Sequence, residues 1–562
     1  MLHDSGGNLP HGEGQPVSPE AGMICRQPKV YGAEKGMESS MKEEKLREKI
    51  GQMIMTGFPA AEPTPALIEL IEKYKVANII LFSYNFSTIE QVQNTLGELH
   101  RIIEKSTGHP AFIAVDQEGG VVTRLPKEAC NIPGAMLLGS TGREEYAYQA
   151  GRITAVQLRA LGINVNLAPV LDVNSNPDNP VIGVRSYGSD PALVERFGNQ
   201  MMKGLRDGNV MPTVKHFPGH GDTAVDSHLG LPVVDKDLSE LMENELIPFQ
   251  SAIAQGVPCV MTSHILFPKL EREKKPATMS HAILTGLLRE KLGFQGIIIT
   301  DCLEMGAIQS YYGTANGAVE AVKAGAQLLC ISHTPGLVIE SIHRIEAAVK
   351  SGEIKEELID RAVENILKWK RAYRIDLEGT DTEGTNVPAI GTPAQRKAAA
   401  EMVQAGITKV SEMELPGVTT EMAVIGSYAY RSTLANSSVD TELHFARYLA
   451  EKLGCRYLEL PVNPTEADRA EALSQLEDYT NIIYGLYNGH LNQGQIQLAN
   501  EISRTGKTVT AITLRNPYDL ALLDGQIHKI SAFEYNTAVF DVLEKIVRKQ
   551  VNASGKLSVN LR

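Results

Sequence analysis

Residues 66–116 read ALIELIEKYKVANIILFSYNFSTIEQVQNTLGELHRIIEKSTGHPAFIAVD, and their pattern decides the fold. ALIELIEKY and EQVQNTLGELHRIIEK read as helices by the spacing of their apolar residues. ANIILFS (77–83) and AFIAVD (111–116) are short apolar runs of strand length. The same alternation extends in both directions. QMIMTGF (52–58) comes before it; INVNLAPV (163–170), MPTVKHF (211–217), CVMTSH (259–264), GIIITD (296–301) and AQLLCIS (326–332) come after, with helix-like segments between them. Eight such units in about 335 residues predict an α/β fold, a closed (β/α)8 TIM-like barrel over residues 41–376. An open doubly wound sheet is the alternative, but eight near-equivalent units favour closure.

The chain has 562 residues, more than one ordinary domain holds. Residues 1–40 are rich in Gly, Pro and Ser, lack periodicity and predict a disordered extension. Residues 377–396 read as a linker by their Gly, Thr, Pro and acidic content. Over 397–562 the runs MAVIGS (422–427), NIIYGLY (481–487) and TVTAITL (508–514) alternate with helices such as TELHFARYLAEKL. That pattern predicts a C-terminal α/β/α sandwich. No phosphate-binding glycine motif opens a helix there, so a nucleotide site has no support.

Composition narrows the function. Hydrophobic residues make up 43% and charged residues 22%, as in a globular protein with sizeable cores. A net charge of −13 argues against nucleic acid and anionic membrane as partners. No apolar stretch of about 18 residues predicts a membrane span. The cysteines (Cys25, Cys130, Cys259, Cys302, Cys330, Cys455) are scattered, which favours free thiols over a disulfide framework or zinc ribbon. Trp369 is the single tryptophan, against a long indole-paved polysaccharide groove. These features and the absence of a leader pattern point to the cytoplasm; a misplaced start codon would leave export as the alternative.

Polar residues cluster where such a barrel builds its chemistry. Asp116, Asp172, His216, His264 and Asp301 each follow or end an apolar run, so all five are expected at the barrel mouth. The segment VKHFPGHGDTAVDSHLGLP (214–232) is the densest in such groups. His216 and His220 have the i, i+4 spacing of a zinc helix, but Pro218 and Gly219 between them oppose a helix. Asp226-Ser227-His228 instead suits an imidazole oriented by a carboxylate for proton transfer near neutral pH.

The pattern K-H-F-P-G-H-G-x4-D-S-H, Lys215 to His228, resembles the signature of the β-N-acetylglucosaminidases of glycoside hydrolase family 3. AVDQEGGVVTRL (114–125), NLAPVLDVNSNP (166–177), VIGVRSYGSDP (181–191), VMTSHI (260–265) and GIIITDCLEMGAI (296–308) match in the same order. LRNPYDL (514–520) and GKLSVNL (555–561) look like the second domain of its two-domain branch. The resemblance implies Asp301 as nucleophile, His228 as general acid/base and Asp226 as its partner. It implies that Asp116, Arg124, Arg185, Lys215 and His216 bind the hydroxyls of the non-reducing sugar.

The implied reaction is retaining exo-hydrolysis of N-acetylglucosamine from peptidoglycan fragments, through a glycosyl ester on an aspartate. A small carbohydrate is the expected partner, with no metal and no organic cofactor. Capture of the ester by phosphate, and a broader β-glucosidase activity, are the alternatives.

Overall fold

The computed structural model describes residues 31–225, 230–375, 389–433, 435–437 and 440–561. All eight apolar runs contain strands: β1 (Ile54–Thr56), β2 (Asn78–Leu81), β3 (Phe112–Val115), β4 (Val165–Asn166), β5 (Met211–Phe217), β6 (Cys259–Thr262), β7 (Ile297–Ile299) and β8 (Leu329–Cys330). They pair in parallel in the order β7-β6-β5-β4-β3-β2-β1-β8. A parallel bridge between Ile299 and Leu328 brings the two ends together.

The barrel follows from local chemistry. The helix Pro65–Tyr74 starts where the Thr64 hydroxyl accepts from the Leu67 N–H, and Ile89–Thr107 starts where Thr88 accepts from Gln91. The second helix ends at Gly108, whose left-handed backbone releases the chain toward β3. Its buried face, including Val92, Leu96, Leu99 and Ile103, packs in one of the two barrel cores. The N-terminal helix runs Tyr31–Gln52, beginning inside the segment read as extension; residues 1–30 lie outside the described residues.

The second sheet has the order β11-β10-β12-β13-β14-β9. Its strands are β9 (Thr408–Lys409), β10 (Met422–Ser427), β11 (Arg456–Leu460), β12 (Asn481–Leu486), β13 (Thr508–Thr513) and β14 (His528–Ser531). The three apolar runs became β10, β12 and β13. The other three went unread because RYLEL is a half-exposed edge strand and the remaining two are short and polar. Helices cover both faces. Phe445–Leu453 and Thr537–Val547 pack on one, Glu466–Gln475 and Gln493–Arg504 on the other.

The helix Pro393–Gly406 begins within the segment read as linker, because Thr392 and Gln395 form a reciprocal cap around a proline start. Its Met402 belongs to a barrel core and its Val403 to the sandwich core. Met136 and Leu137, in the short helix Ala135–Ser140 that follows β3, and Val184, in the turn Gly183–Arg185 after β4, join that same sandwich core, so one apolar cluster spans both domains.

Glu534 is buried at this seam. The Gly134 N–H donates to Oε1 at 2.5 Å and Asn536 Nδ2 to Oε2 at 2.7 Å. Burial outweighs these two donors and pushes the carboxyl up to about 7. The folded protein therefore holds a proton that the unfolded chain, with a value of 4.5, releases. The contribution of this carboxyl to stability is expected to fall as pH rises from about 4.5 to about 7, by on the order of 3 kcal/mol. Urea unfolding of wild type and Glu534→Gln across that window checks this as a difference: wild type should lose that amount relative to the variant, since the other titrating groups act in both proteins alike.

Candidate active site

The carboxyl ends of the strands surround a cavity of about 510 Å³. Asp116, Arg124, Arg185, Lys215, His216 and Asp301 all line it, although they come from four separate βα units. Asp116 directly follows β3, Lys215 and His216 lie in β5, and Asp301 lies just past β7.

Lys215 is buried and its ammonium donates to Asp116 Oδ1 at 2.6 Å and contacts Glu118 Oε1 at 2.7 Å. Arg185 grips Glu118 with both arms of its fork, Nε to Oε2 at 2.9 Å and Nη2 to Oε1 at 2.8 Å. Burial alone would raise the Glu118 carboxyl, but Arg185 and Lys215 outweigh it and hold the group well below the usual carboxylate range. Burial would likewise lower the Lys215 ammonium, yet Asp116 and Glu118 leave it raised. Glu118, two residues beyond Asp116, is not among the residues expected from the sequence; its role follows from the burial of two cations, which require more than one carboxylate.

Of the five residues expected at the mouth, Asp116, His216 and Asp301 line the cavity and two do not. Asp172 is fully buried behind His216, where Oδ2 accepts from ring Nδ1 at 2.7 Å. Its Oδ1 accepts the backbone N–H groups of His216 at 3.2 Å and His220 at 2.7 Å. Burial would raise this carboxyl; the adjacent His216 and His220 hold it below its ordinary value. His264 is buried against Thr278 Oγ1, 2.8 Å from Nδ1, and the Cys302 carbonyl, 2.9 Å from Nε2. Its place is structural, under the segment that carries Asp301.

The K-H-F-P-G-H-G loop is explained by close packing. Gly219 has φ +140, and a Cβ on Gly221 would sit 1.7 Å from the Val173 carbonyl oxygen. Burial and then neighbouring His216 push the His220 imidazole down to about 4, so it stays neutral. Its Nδ1 lies 2.8 Å from Thr223 Oγ1. With His216 Nδ1 on Asp172, neither imidazole offers that nitrogen to a metal, and among the described residues no third ligand joins them. Asp226 and His228 lie outside the described residues.

The second domain completes the wall. Arg431, Ala435 and Asn436 line the cavity. Arg124 Nη1 donates to Ser437 Oγ at 3.0 Å and Nη2 to the Ala435 carbonyl at 2.8 Å. LRNPYDL (514–520) touches the barrel through Tyr518, whose Oη accepts from Asn174 Nδ2 at 2.7 Å, and does not line the cavity. Nothing in residues 431–437 marked them as site residues before the two domains were seen together.

The sequence matches the glycosyl hydrolase family 3 N-terminal domain over residues 45–369. The chain belongs to glycosyl hydrolase family 3. Within the family it is 36% identical over 368 residues to β-hexosaminidase A of Pseudoalteromonas piscicida, covering 62% of this chain and 61% of that enzyme. It is 33% identical over 331 residues to β-hexosaminidase LpqI of Mycobacterium tuberculosis, covering 58% of this chain and 82% of LpqI.

Among solved structures, a family 3 β-N-acetylglucosaminidase from Paenibacillus sp. FPU-7 superposes with a TM-score of 0.84 at 37% identity. That match covers 92% of this chain and 99% of the Paenibacillus chain, so both domains are shared. A β-glucoside phosphorylase, at 22% identity and a TM-score of 0.78, has the same fold.

Glu118→Ala is expected to strand the Arg185 guanidinium in a buried site and cost about 3–5 kcal/mol of stability. Chemical denaturation of the two proteins at neutral pH measures it directly.

Proposed function

We propose that the protein is a retaining exo-β-N-acetylglucosaminidase acting on small peptidoglycan-derived sugars. One observation carries this reading: Asp301 and all five residues implied for sugar binding line a single cavity of about 510 Å³. Its volume suits one sugar and the start of its leaving group. The β-hexosaminidase relatives and the Paenibacillus β-N-acetylglucosaminidase support the choice of sugar.

In this reading the non-reducing sugar occupies the enclosed polar floor. Asp116 and the Lys215 ammonium bind its hydroxyls, and the Glu118–Arg185 pair holds Lys215 in place. Asp301, whose Oδ1 accepts the Cys302 N–H at 2.7 Å, attacks the anomeric carbon and forms a glycosyl ester. His228, oriented by Asp226, protonates the leaving oxygen and then takes a proton from the attacking water. Asp172 keeps His216 in a fixed orientation toward the sugar.

The following outcomes test the assignment. A fluorinated N-acetylglucosamine inactivator should label the peptide containing Asp301; a label elsewhere overturns that role. His228→Ala should lose ~10²–10⁴-fold on natural sugars, with a smaller loss in glycosylation for an acidic aryl leaving group. Azide should restore turnover in His228→Ala by displacing Asp301 from the glycosyl ester, giving a β-glycosyl azide; in Asp301→Ala, which forms no ester, any azide product should have the inverted α configuration. Finally, kcat/KM for an aryl N-acetylglucosaminide should far exceed that for the matching glucoside, and comparable values would favour a broad β-glucosidase. Product analysis in phosphate against an inert buffer separates hydrolysis from phosphorolysis.

A further inference from the structure

The cavity has two unlike walls. Five of its charged groups, Asp116, Glu118, Arg124, Arg185 and Lys215, stand on the loops after β3 and β4 and on β5, with Asp301 and Glu304 after β7 and Arg431 on the second domain, whereas an aromatic cluster of Phe82, Tyr84 and His333 stands on the loops after β2 and β8. In the ring order, β8 lies diametrically across from β4 and beside β7, the strand that leads to Asp301. The charged floor is enclosed: Lys215 and Arg185 are buried. Tyr84 is 47% exposed, so the aromatic wall rises to the rim.

The wall is built and held. Phe82 and Tyr84 stack with ring centroids 5.5 Å apart, and His333 lies 4.7 Å from Phe82. Tyr84 Oη is 3.5 Å from His333 Nδ1. Buried Asn85 pins the β2 loop, because its Oδ1 accepts the Phe82 N–H at 2.8 Å and its Nδ2 donates to the carbonyls of Phe58 at 2.9 Å and Ala60 at 2.6 Å. Glu304 pins the β8 loop. Its carboxylate accepts the His333 N–H at 2.7 Å and the Thr334 hydroxyl at 2.7 Å. Glu304 is three residues beyond Asp301, so the segment carrying the nucleophile also fixes the wall.

We propose that Phe82, Tyr84 and His333 form the binding platform for the leaving-group sugar, a second pyranose whose apolar face stacks on Tyr84. The proposal rests on the glycosidase reading above and adds to it the chemistry of the aglycone. A sugar whose hydroxyls are gripped at the enclosed floor points its anomeric substituent toward the open rim. The group met there is an aromatic surface next to Asp301. A rigid ring presents a large contact area at little conformational cost, which suits a pyranose that must be bound and then released.

The test compares two substrates of the full-length protein. N,N′-diacetylchitobiose has a leaving pyranose; β-N-acetylglucosaminyl fluoride has the same non-reducing sugar and no leaving ring. In Tyr84→Ala the ratio of kcat/KM for the disaccharide to kcat/KM for the fluoride should fall about 10-fold. Tyr84→Phe, which keeps the ring, should restore the ratio. A ratio unchanged in Tyr84→Ala, whether both substrates lose together or neither does, overturns the proposal; joint loss would assign the wall to the non-reducing sugar. Wild-type protein that cleaves neither substrate overturns the glycosidase reading, and this proposal with it.

Discussion

The buried network of Lys215 and Arg185 with Asp116 and Glu118 is the constraint around which the rest of the site is arranged. Lys215, Arg185 and Glu118 leave water almost completely, with Asp116 at their open side, so each must be paired at hydrogen-bond distance or the cost of burial is not offset. That requirement ties β5, the β3 loop and the β4 loop to one another at the barrel mouth. It also sets the polarity of the cavity floor, since Lys215 divides its charge between two acids. The Asp172–His216 pair repeats the same logic one layer deeper, with a carboxylate that contacts backbone and imidazole but not the cavity.

The second domain takes part in the same arrangement. Ala435 and Ser437 dock against the β3 loop, where Ser437 Oγ accepts the Thr123 N–H and the Arg124 fork reaches Ser437 Oγ and the Ala435 carbonyl. Glu534 holds the backbone of Gly134 from the other side. Met136, Leu137 and Val184 then bury their apolar surface in the sandwich core. Two polar clamps flanking an apolar seam make the domain interface specific as well as favourable, because a sliding misfit would leave buried polar groups unpaired. The loop bearing Asp116 and Glu118 is thus braced by both domains.

The division of the cavity into a charged, enclosed floor and an aromatic, open rim follows from which strands carry which loops. Charge is concentrated where a hydroxyl-rich ring would be gripped. The aromatic wall beside Asp301 belongs to loops locked by Asn85 and Glu304.

The sequence by itself determined the barrel, its eight strands, the sandwich that follows it and several of the charged residues that line the cavity. These are legible because a buried parallel strand must be a short apolar run, and because such runs end at one mouth where polar residues are otherwise unexpected. Asp116, His216 and Asp301 could be found on that ground alone. Glu118 could not be ranked above its neighbours, since its value lies in meeting Arg185, 67 residues away. Asp172 and His264 were read as mouth residues, and only packing revealed that they support His216 and the Cys302 backbone instead. The edge strand RYLEL, half exposed, lacked the apolar signal that marks β10 and β12. The contribution of Arg431 and Asn436, and the meeting of Phe82 with His333, were decided by tertiary structure alone. Local pattern reports burial and periodicity, whereas contact between distant loops depends on the closure of the barrel and the docking of the second domain.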